Sequence, residues 1–326
     1  MSNSNKNFLQ YMVGGLLYMP AFQENIVDKI KNNSIKCLNS IALCLEDSIR
    51  DEALDKAEYS LINILNKLKL LSENNVNLPL IFVRVRSPEH LKSIHYRLSD
   101  LTNVLTGYIL PKFDLHNIEN YSDFIYDINL SRQKKLYIMP ILETKMIADV
   151  ITRNESLIKI KCILDKIKDY VLNIRVGVND LSNIYGLRYD INHNIYDIGI
   201  IRDVLISILN IFAKDYVVAG PVWNYFGNDN NCKWSEGLKR ELALDRINGF
   251  IGKSAINPSQ LPYIFENLKV NQTDLNDANQ ILNWQSDSHG VAKGSDRMNE
   301  LKCHYKWAER IKILSTIYGV RNDLSN

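Results

Sequence analysis

Charged side chains stand at the ends of apolar runs at several places along the 326-residue chain. The clearest case is IALCLEDSI at residues 41–49, where five apolar residues lead directly into Glu46 and Asp47. Acidic and basic groups in such positions could bind a metal ion, hold an anionic ligand or transfer a proton. The residues of this kind are Glu46, Asp47, Arg84, Lys112, Glu143, Asp180 and Lys253.

Two of these carboxylates, Glu143 and Asp180, end successive apolar runs. Carboxylates at the ends of neighbouring parallel strands can meet across one strand spacing, roughly 5 Å. Mg²⁺ prefers a small number of such hard oxygen ligands, with room left for water and substrate oxygens. We therefore predict a Mg²⁺ site at Glu143 and Asp180. The alternative is a structural pair satisfied by Arg175, Lys112 or backbone amides.

The three cations suit the binding of an anionic substrate. Arg84 can donate two parallel hydrogen bonds to a carboxylate or keto acid, and Lys112 and Lys253 are predicted to assist it. The alternative for Arg84 is an ion pair with Glu46 or Asp47. The predicted general base is Asp47, or a water molecule activated through Glu46 and Asp47.

Eight short apolar runs alternate with amphipathic helical segments, such as residues 58–71 and 198–213. Buried strands alternating with helices predict a parallel sheet covered on both faces, and eight units over about 250 residues predict a closed (β/α)8 TIM barrel. The runs are MVGGLLYMP (12–20), SIALCLED (40–47), LIFVRV (80–85), GYILPKF (107–113), LYIMPILE (136–143), NIRVGVND (173–180), YVVAGPV (216–222) and GFIGKSAI (249–256). In such a barrel the C-terminal strand ends carry the catalytic groups, which places the charged residues at one rim.

The pattern changes near residue 263. We predict a barrel domain at residues 1–262 and a C-terminal helical extension at residues 263–326, with a long helix at 297–320. The loop at 286–296, rich in Ser, Gly and Asp, is a candidate lid.

Composition excludes several functions. Lys plus Arg is 39 and Asp plus Glu is 37, and the basic residues are dispersed, so neither nucleic acid nor an anionic membrane is an expected partner. The N-terminus is polar and no apolar stretch reaches the eighteen or so residues that span a bilayer. We expect a cytoplasmic protein.

The ordered motifs of the chain resemble those of the HpcH/HpaI aldolase and citrate lyase beta-subunit family. The chain is most similar to the TIM-barrel C–C bond lyase-like branch found with tellurium-resistance-type gene clusters. The motifs, which span roughly residues 13–320, are LLYMPA, LCLEDSI, VRV, LPKF, PILET, RVGVNDLSNIYGLR, IYD, AGPVW, GFIGKSAINPSQ and MNELKCHYKWAERI.

The resemblance implies roles for the same residues. It implies that Glu143 and Asp180 hold Mg²⁺, that Arg84 binds the carboxylate or keto oxygen of the substrate, and that Glu46 and Asp47 line the site and order metal-bound water. It also implies a homo-oligomer and, in some members, a coenzyme A thioester as substrate.

The chain departs from the family pattern at two points. The usual IHP near the last strand is INP here, so a role of that histidine is lost or passes to Asn257. Acyl-CoA members supply an acidic residue from a C-terminal segment, for which Asp287 and Asp296 are both candidates.

The resulting hypothesis is a Mg²⁺-dependent lyase or aldolase that cleaves a β-hydroxy acid or its acyl-CoA thioester through an enolate. One alternative is a non-catalytic ligand sensor or scaffold of a stress-response cluster. A second alternative is a Mg²⁺-dependent enzyme of phosphoenolpyruvate-type chemistry.

Overall fold

The chain divides into two compact units, Met1–Tyr263 and Ile264–Asn326. The structure, a computed structural model, describes residues 2–228, 232–285 and 289–321. Each unit has its own secondary structure and apolar core.

The first unit is built around a seven-stranded parallel sheet. Its strands lie in the spatial order β6-β5-β4-β3-β2-β1-β7, so each new strand from β2 to β6 was added to the same edge. The strands are β1 (Gly15–Pro20), β2 (Ser40–Cys44), β3 (Leu80–Arg84), β4 (Gly107–Leu110), β5 (Tyr137–Leu142), β6 (Arg175–Val176) and β7 (Lys253–Ala255). All seven coincide with predicted apolar runs.

The eighth predicted run, YVVAGPV, is not a regular strand. Val218 makes an isolated parallel bridge to Ile174, and Gly220 makes another to Lys253 at the opposite edge of the sheet. Backbone hydrogen bonds accompany both bridges. Pro221 follows directly and has no N–H to donate, so the ladder cannot continue.

Helices fill most of the segments between strands. The helix predicted at 58–71 is Leu54–Glu73, with its buried positions spaced three and four residues apart, and the one predicted at 198–213 is Gly199–Phe212. The helices are α1 (Ser2–Met12), α2 (Ile26–Lys31), α3 (Leu54–Glu73), α4 (Pro88–Leu98), α5 (Ile118–Leu130), α6 (Lys145–Ala148), α7 (Arg153–Lys166), α8 (Val178–Ile184), α9 (Gly199–Phe212), α10 (Lys233–Asn248), α11 (Leu261–Leu268), α12 (Gln272–Leu282) and α13 (Leu301–Tyr318). None of the described helices combines the length and apolar character needed to cross a membrane.

The inner face of the sheet carries one apolar layer. Leu16, Ala42, Phe82, Ile109 and Met139, from five consecutive strands of the sheet, belong to one buried cluster. Because side chains two residues apart on a strand share a face, the next inward positions form a second layer nearer the C-terminal ends. That second layer is the floor of the candidate site.

The second unit differs from its prediction at the start of the last helix. Residues 298–300 form a strand, β9 (Met298–Glu300), which pairs with β8 (Val291–Lys293), so α13 begins at Leu301 instead of residue 297. The carboxylate of Asp277 on α12 holds the turn, because it accepts hydrogen bonds from Ser295 N–H and Arg297 Nε at 2.8 Å each.

This hairpin occupies much of the predicted lid segment. Residues 286–288, which include the candidate Asp287, lie outside the described residues, and the lid remains a prediction. The core of the unit is formed by α12, α13 and their flanking residues: Val270, Ala278, Ile281, Ala308 and Ile311.

The close approach of β4 to β5 generates a first prediction. A Cβ added to Gly107 would overlap the carbonyl oxygen of Tyr137 on β5, whereas one added to Gly199, at the start of α9, would meet nothing within 4 Å. We expect Gly107→Ala to lower the free energy of unfolding by about 1–3 kcal/mol through overpacking. Gly199→Ala should leave it unchanged or raise it by about 0.4–1 kcal/mol.

Chemical denaturation of both variants measures the difference. Equal stabilities of the two variants would contradict the close packing of β4 against β5.

Candidate functional site

Two strand positions direct charged side chains to the inner face of the sheet, beyond the apolar cluster. Arg84 stands two residues after the core residue Phe82 on β3, and Glu143 stands two residues after Ile141 at the end of β5. Both side chains are buried, with 7% of Arg84 and 3% of Glu143 exposed. The strand period of two therefore directs these charges inward, directly above the apolar layer.

A cavity of about 360 Å³ opens at this end of the sheet. Its size suits a small organic molecule and is near the lower limit of ligand sites in proteins. Its charged and polar lining includes Tyr18, Asp47, Arg84, Glu143, Arg175 and Asp180. Four of the seven predicted site residues thus share one wall.

The guanidinium of Arg84 is the centre of an ion cluster. Its Nη2 lies 2.7 Å from Glu46 Oε2, 2.9 Å from Asp47 Oδ2 and 3.7 Å from Glu143 Oε1. Burial lowers the pKa of Arg84, but the neighbouring Glu46, Tyr18 and Glu143 outweigh that effect and raise it. The ion pair with Glu46 or Asp47, given above as the alternative role of Arg84, is present with both residues.

Lys112 supports the cluster from the loop after β4. Its ammonium pairs with Glu46 and lies 3.3 Å from Asp47 Oδ1, while its backbone N–H donates to Glu143 Oε1 at 2.8 Å. The residue has a φ of +49°, a left-handed conformation that is uncommon outside glycine. In this conformation the backbone N–H of Lys112 contacts Glu143 while its side chain contacts Glu46 and Asp47.

The second carboxylate oxygen of Glu143 packs against Gly177. A Cβ at position 177 would overlap Glu143 Oε2, so only glycine leaves space for the observed side-chain position. The pKa of Glu143 is raised to about 8. Burial is the largest cause, the charge of Arg84 acts in the opposite direction, and the neighbouring Asp180 raises the pKa further. The positive charge of Arg84 therefore does not offset the effect of burial on the pKa of Glu143.

Asp180 reaches the cavity from a helix instead of a strand. Strand β6 ends at Val176, and α8 begins at Val178 after Gly177, so Asp180 lies in the first turn of α8. The predicted position of Asp180 at a strand end is wrong, because Asp180 lies in the helix that follows β6. The sequence pattern does not mark where this two-residue strand stops.

Glu46 and Asp47 differ in their environments. Glu46 is 9% exposed and is not among the residues that line the cavity, and burial raises its pKa although Arg84 lowers it. The Asp47 side chain is half exposed and lines the cavity. Burial raises the pKa of Asp47, but the charges of Arg84 and Lys112 outweigh that effect and lower it. Asp47 is therefore the member of the pair that stands ionised at the cavity wall.

Lys253 lies apart from this cluster. It is fully buried at the start of β7, and its ammonium lies 2.8 Å from Glu241 Oε1 and 2.7 Å from Asp245 Oδ2, both on α10. The next residue, Ser254, faces the cavity instead. Because alternate strand residues point to opposite faces, the sequence pattern placed the correct strand at the rim but selected the residue on the other face.

Three cavity residues were not selected from the sequence as part of a ligand site. Arg175 begins β6 and is 1% exposed, Tyr18 lies on β1, and Ser254 lies on β7. One sequence feature could have identified Arg175, which is its charge inside the otherwise apolar run NIRVGV. The structural alternative named Arg175, Lys112 or backbone amides as partners of the rim carboxylates. The backbone N–H of Lys112 does hold Glu143, whereas Arg175 donates to Ser254 Oγ at 2.7 Å.

The oxygen donors in the cavity wall suit a hard divalent cation. Within residues 2–228, 232–285 and 289–321, no group of three or more His, Cys, Asp or Glu side chains is arranged to hold a metal ion. Glu143 and Asp180 offer two carboxylates beside open cavity volume. Mg²⁺ commonly takes one or two carboxylates and completes its shell with water and substrate oxygens, so this donor set fits Mg²⁺.

A family match covers nearly the whole chain. Residues 7–320 match the family described as C–C bond lyase of the TIM-barrel fold. No curated protein matches the chain.

Solved structures show the same fold at low sequence identity. Protein CitE from Mycobacterium tuberculosis, in complex with magnesium, acetoacetate and coenzyme A, is 16% identical, with a TM-score of 0.58 over 93% of this chain and 98% of that one. A citrate lyase from Burkholderia xenovorans is 13% identical, with a TM-score of 0.67 over 95% and 94% of the two chains. RipC from Yersinia pestis is 15% identical, with a TM-score of 0.53 over 79% and 95%. At these identities the likeness establishes the fold.

The pairing of Lys253 generates a second prediction. Lys253→Met leaves Glu241 and Asp245 buried without their cation, so we expect the free energy of unfolding to fall by about 3–5 kcal/mol. The matched control is Lys159→Met, which breaks an exposed pair with Glu155 and should cost less than about 1 kcal/mol. Chemical denaturation at neutral pH compares the two. A Lys253→Met protein as stable as the control would show that this buried pair does not hold α10 to β7.

Proposed function

Since the chain belongs to the C–C bond lyase family of the TIM-barrel fold, we propose that it is a Mg²⁺-dependent carbon–carbon lyase for a β-hydroxy acid or its acyl-CoA thioester. The observation that carries the proposal is the presence of Glu143 and Asp180 in the wall of one small cavity beside Arg84. The complex of the Mycobacterium tuberculosis protein with magnesium, acetoacetate and coenzyme A supports Mg²⁺ as the cofactor and a small organic acid or coenzyme A compound as the ligand.

Glu143 and Asp180 are the residues that would hold the metal. When bound, Mg²⁺ acts as a Lewis acid that stabilises negative charge developing on a substrate oxygen. Lys112 fixes one oxygen of Glu143 through its backbone N–H, and Gly177 leaves space for the other. The protein thus holds Glu143 in place before any ligand arrives, and such preorganisation is a major source of catalytic stabilisation.

Asp47 is the proposed proton acceptor. In the cleavage direction it takes the proton of the substrate β-hydroxyl while the adjacent carbon–carbon bond breaks, and the electron pair of that bond passes into the neighbouring carbonyl group as an enolate. The carbon that bore the hydroxyl group leaves as the carbonyl product. The enolate then takes a proton to form the second product. Glu46 is a positioning residue, because it acts through its contacts with Arg84 and Lys112.

The cavity volume bears on the thioester form of the substrate. About 360 Å³ accommodates a small acid or the acyl end of a thioester, so the nucleotide part of coenzyme A would lie outside it. Both the free acid and its thioester are therefore proposed substrates.

Several finer statements remain proposals from the sequence. They are a closed (β/α)8 barrel completed by residues 216–222, a domain boundary at 262, a homo-oligomer, a cytoplasmic location and an association with tellurium-resistance-type gene clusters. The sensor or scaffold alternative has one specific argument, which is that carboxylates of the protein itself balance the charge of Arg84. The phosphoenolpyruvate-type alternative has no such argument.

The metal site gives a third prediction. In isothermal titration of the purified protein with Mg²⁺, we expect binding that Glu143→Gln weakens by at least about tenfold, because a neutral amide replaces a ligand carboxylate. Glu155→Gln, which neutralises an exposed helix carboxylate, should bind Mg²⁺ like the wild type. Oxaloacetate and acetyl-CoA are then tested in the presence of Mg²⁺.

Two results would count against the lyase. One is the absence of Mg²⁺ binding by the wild type, which would favour the scaffold alternative. The other is metal-dependent cleavage retained by the double variant Glu143→Gln, Asp180→Asn.

Gly177 gives a fourth prediction, which perturbs the metal site without altering any charge. Gly177→Ala places a methyl group where Glu143 Oε2 lies, so Glu143 must move and the Mg²⁺ affinity should fall by about 10–100-fold. Gly199→Ala is the control, because its added methyl group meets nothing within 4 Å. Wild-type Mg²⁺ affinity in a folded Gly177→Ala protein would mean that Glu143 does not bind the metal from its observed position.

A further inference from the structure

Two guanidinium groups face the same cavity, and they differ in how their charge is balanced. Arg84 and Arg175 both line the cavity, and the Cζ atom of each lies 5.9 Å from the centre of the Tyr18 ring. Arg84 has three carboxylates within 4 Å. Its charge is therefore already matched by the protein.

Arg175 has only neutral partners. Its Nη2 donates to Ser254 Oγ at 2.7 Å and its Nη1 donates to Asn173 Oδ1 at 3.4 Å, while its Nε is buried without a partner. Across the described part of the chain, no carboxylate lies within ion-pair distance of it. Burial lowers the pKa of Arg175 although the neighbouring Tyr18 hydroxyl acts in the opposite direction, and this lowering reflects the cost of holding the charge away from water.

The fold supplies carboxylates to its other buried cations. Lys253 is as deeply buried and has two carboxylates, and Arg153, 3% exposed, pairs with Asp203. Arg84 also lines the cavity and also has a buried Nε without a partner, so what sets Arg175 apart is that its partners are neutral. A buried cation without a counter-charge, with an unpartnered donor at a cavity wall, fits an anion that arrives with the ligand.

We propose that Arg175, assisted by the Ser254 hydroxyl, is the subsite that binds the carboxylate of the substrate acid, and that Arg84 holds Glu46, Asp47 and Glu143 in position. The inference rests on the lyase proposal and refines it, since it assigns the substrate anion to a residue other than Arg84. It makes Arg175 the determinant of selectivity for acids over their neutral esters.

The test is isothermal titration of the Mg²⁺-saturated protein with pyruvate, glyoxylate and oxaloacetate, and with methyl pyruvate as the neutral comparison. The wild type should bind at least one keto acid, and pyruvate at least about tenfold more tightly than its ester. Arg175→Met should lose at least about tenfold in keto-acid affinity and most of the preference over the ester, because the ionic hydrogen bonds are removed. Its Mg²⁺ affinity should stay within about twofold of the wild type, since it is not a proposed metal ligand.

The control for removing a buried arginine is Arg153→Met, which should leave keto-acid affinity unchanged. Circular dichroism and thermal unfolding establish that each variant is folded. Where Arg175→Met does not fold, Arg175→Lys and Ser254→Ala replace it. The lysine keeps the charge without the planar fork and Ser254→Ala removes one partner, so each should weaken keto-acid binding measurably.

The possible failures are distinguishable. A wild type that binds no Mg²⁺ and no keto acid overturns the lyase proposal and this inference together. A folded Arg175→Met protein with normal Mg²⁺ binding, unchanged keto-acid affinity and an intact preference for pyruvate over its ester overturns this inference alone.

Discussion

The ion pairs of Arg84 are the interaction on which the rest of the site depends. A guanidinium in contact with Glu46, Asp47 and Glu143 lets three carboxylates stand together at the edge of an apolar core, where the buried Glu46 and Glu143 would be strongly destabilised without it. Lys112, which has a left-handed backbone conformation, adds a second positive charge to the cluster. Its backbone N–H donates a hydrogen bond that holds Glu143 in place. The cluster affects the two carboxylates differently: the pKa of Asp47 is lowered, whereas burial raises the pKa of Glu143 to about 8.

The parallel sheet explains why these groups meet although they are far apart in the chain. Parallel strands end at the same edge, and the inward positions of neighbouring strands form layers. Phe82 and Ile141 belong to the apolar cluster, and Arg84 and Glu143 follow them two residues later on the same inner face. The same rule separates Lys253 from Ser254, because adjacent residues of one strand face opposite sides and only Ser254 reaches the cavity.

Cations of the first unit therefore have distinct uses that their residue type does not reveal. Lys253 joins β7 to α10 through two buried carboxylates, and Arg84 organises the acidic residues of the site. Arg175 is buried among neutral groups beside the cavity. A charged residue at the end of an apolar run thus indicates a position in the fold, and its partners decide whether it serves stability, positioning or ligand binding.

The sequence by itself determined the strands and the region of the site. Short apolar runs alternating with amphipathic helices are local patterns, and seven of the eight runs are strands of the sheet. Charges that follow such runs identified Asp47, Arg84, Glu143 and Asp180 because apolar strands tolerate charge only at their ends. Only the tertiary structure decided the pairing of these charges, the inward or outward direction of Lys253 and Ser254, the packing of Glu143 against Gly177 and the lack of a counter-charge at Arg175. Each of these depends on which distant residues come within a few ångströms, and a one-residue change of direction on a strand is invisible in a pattern of apolar runs.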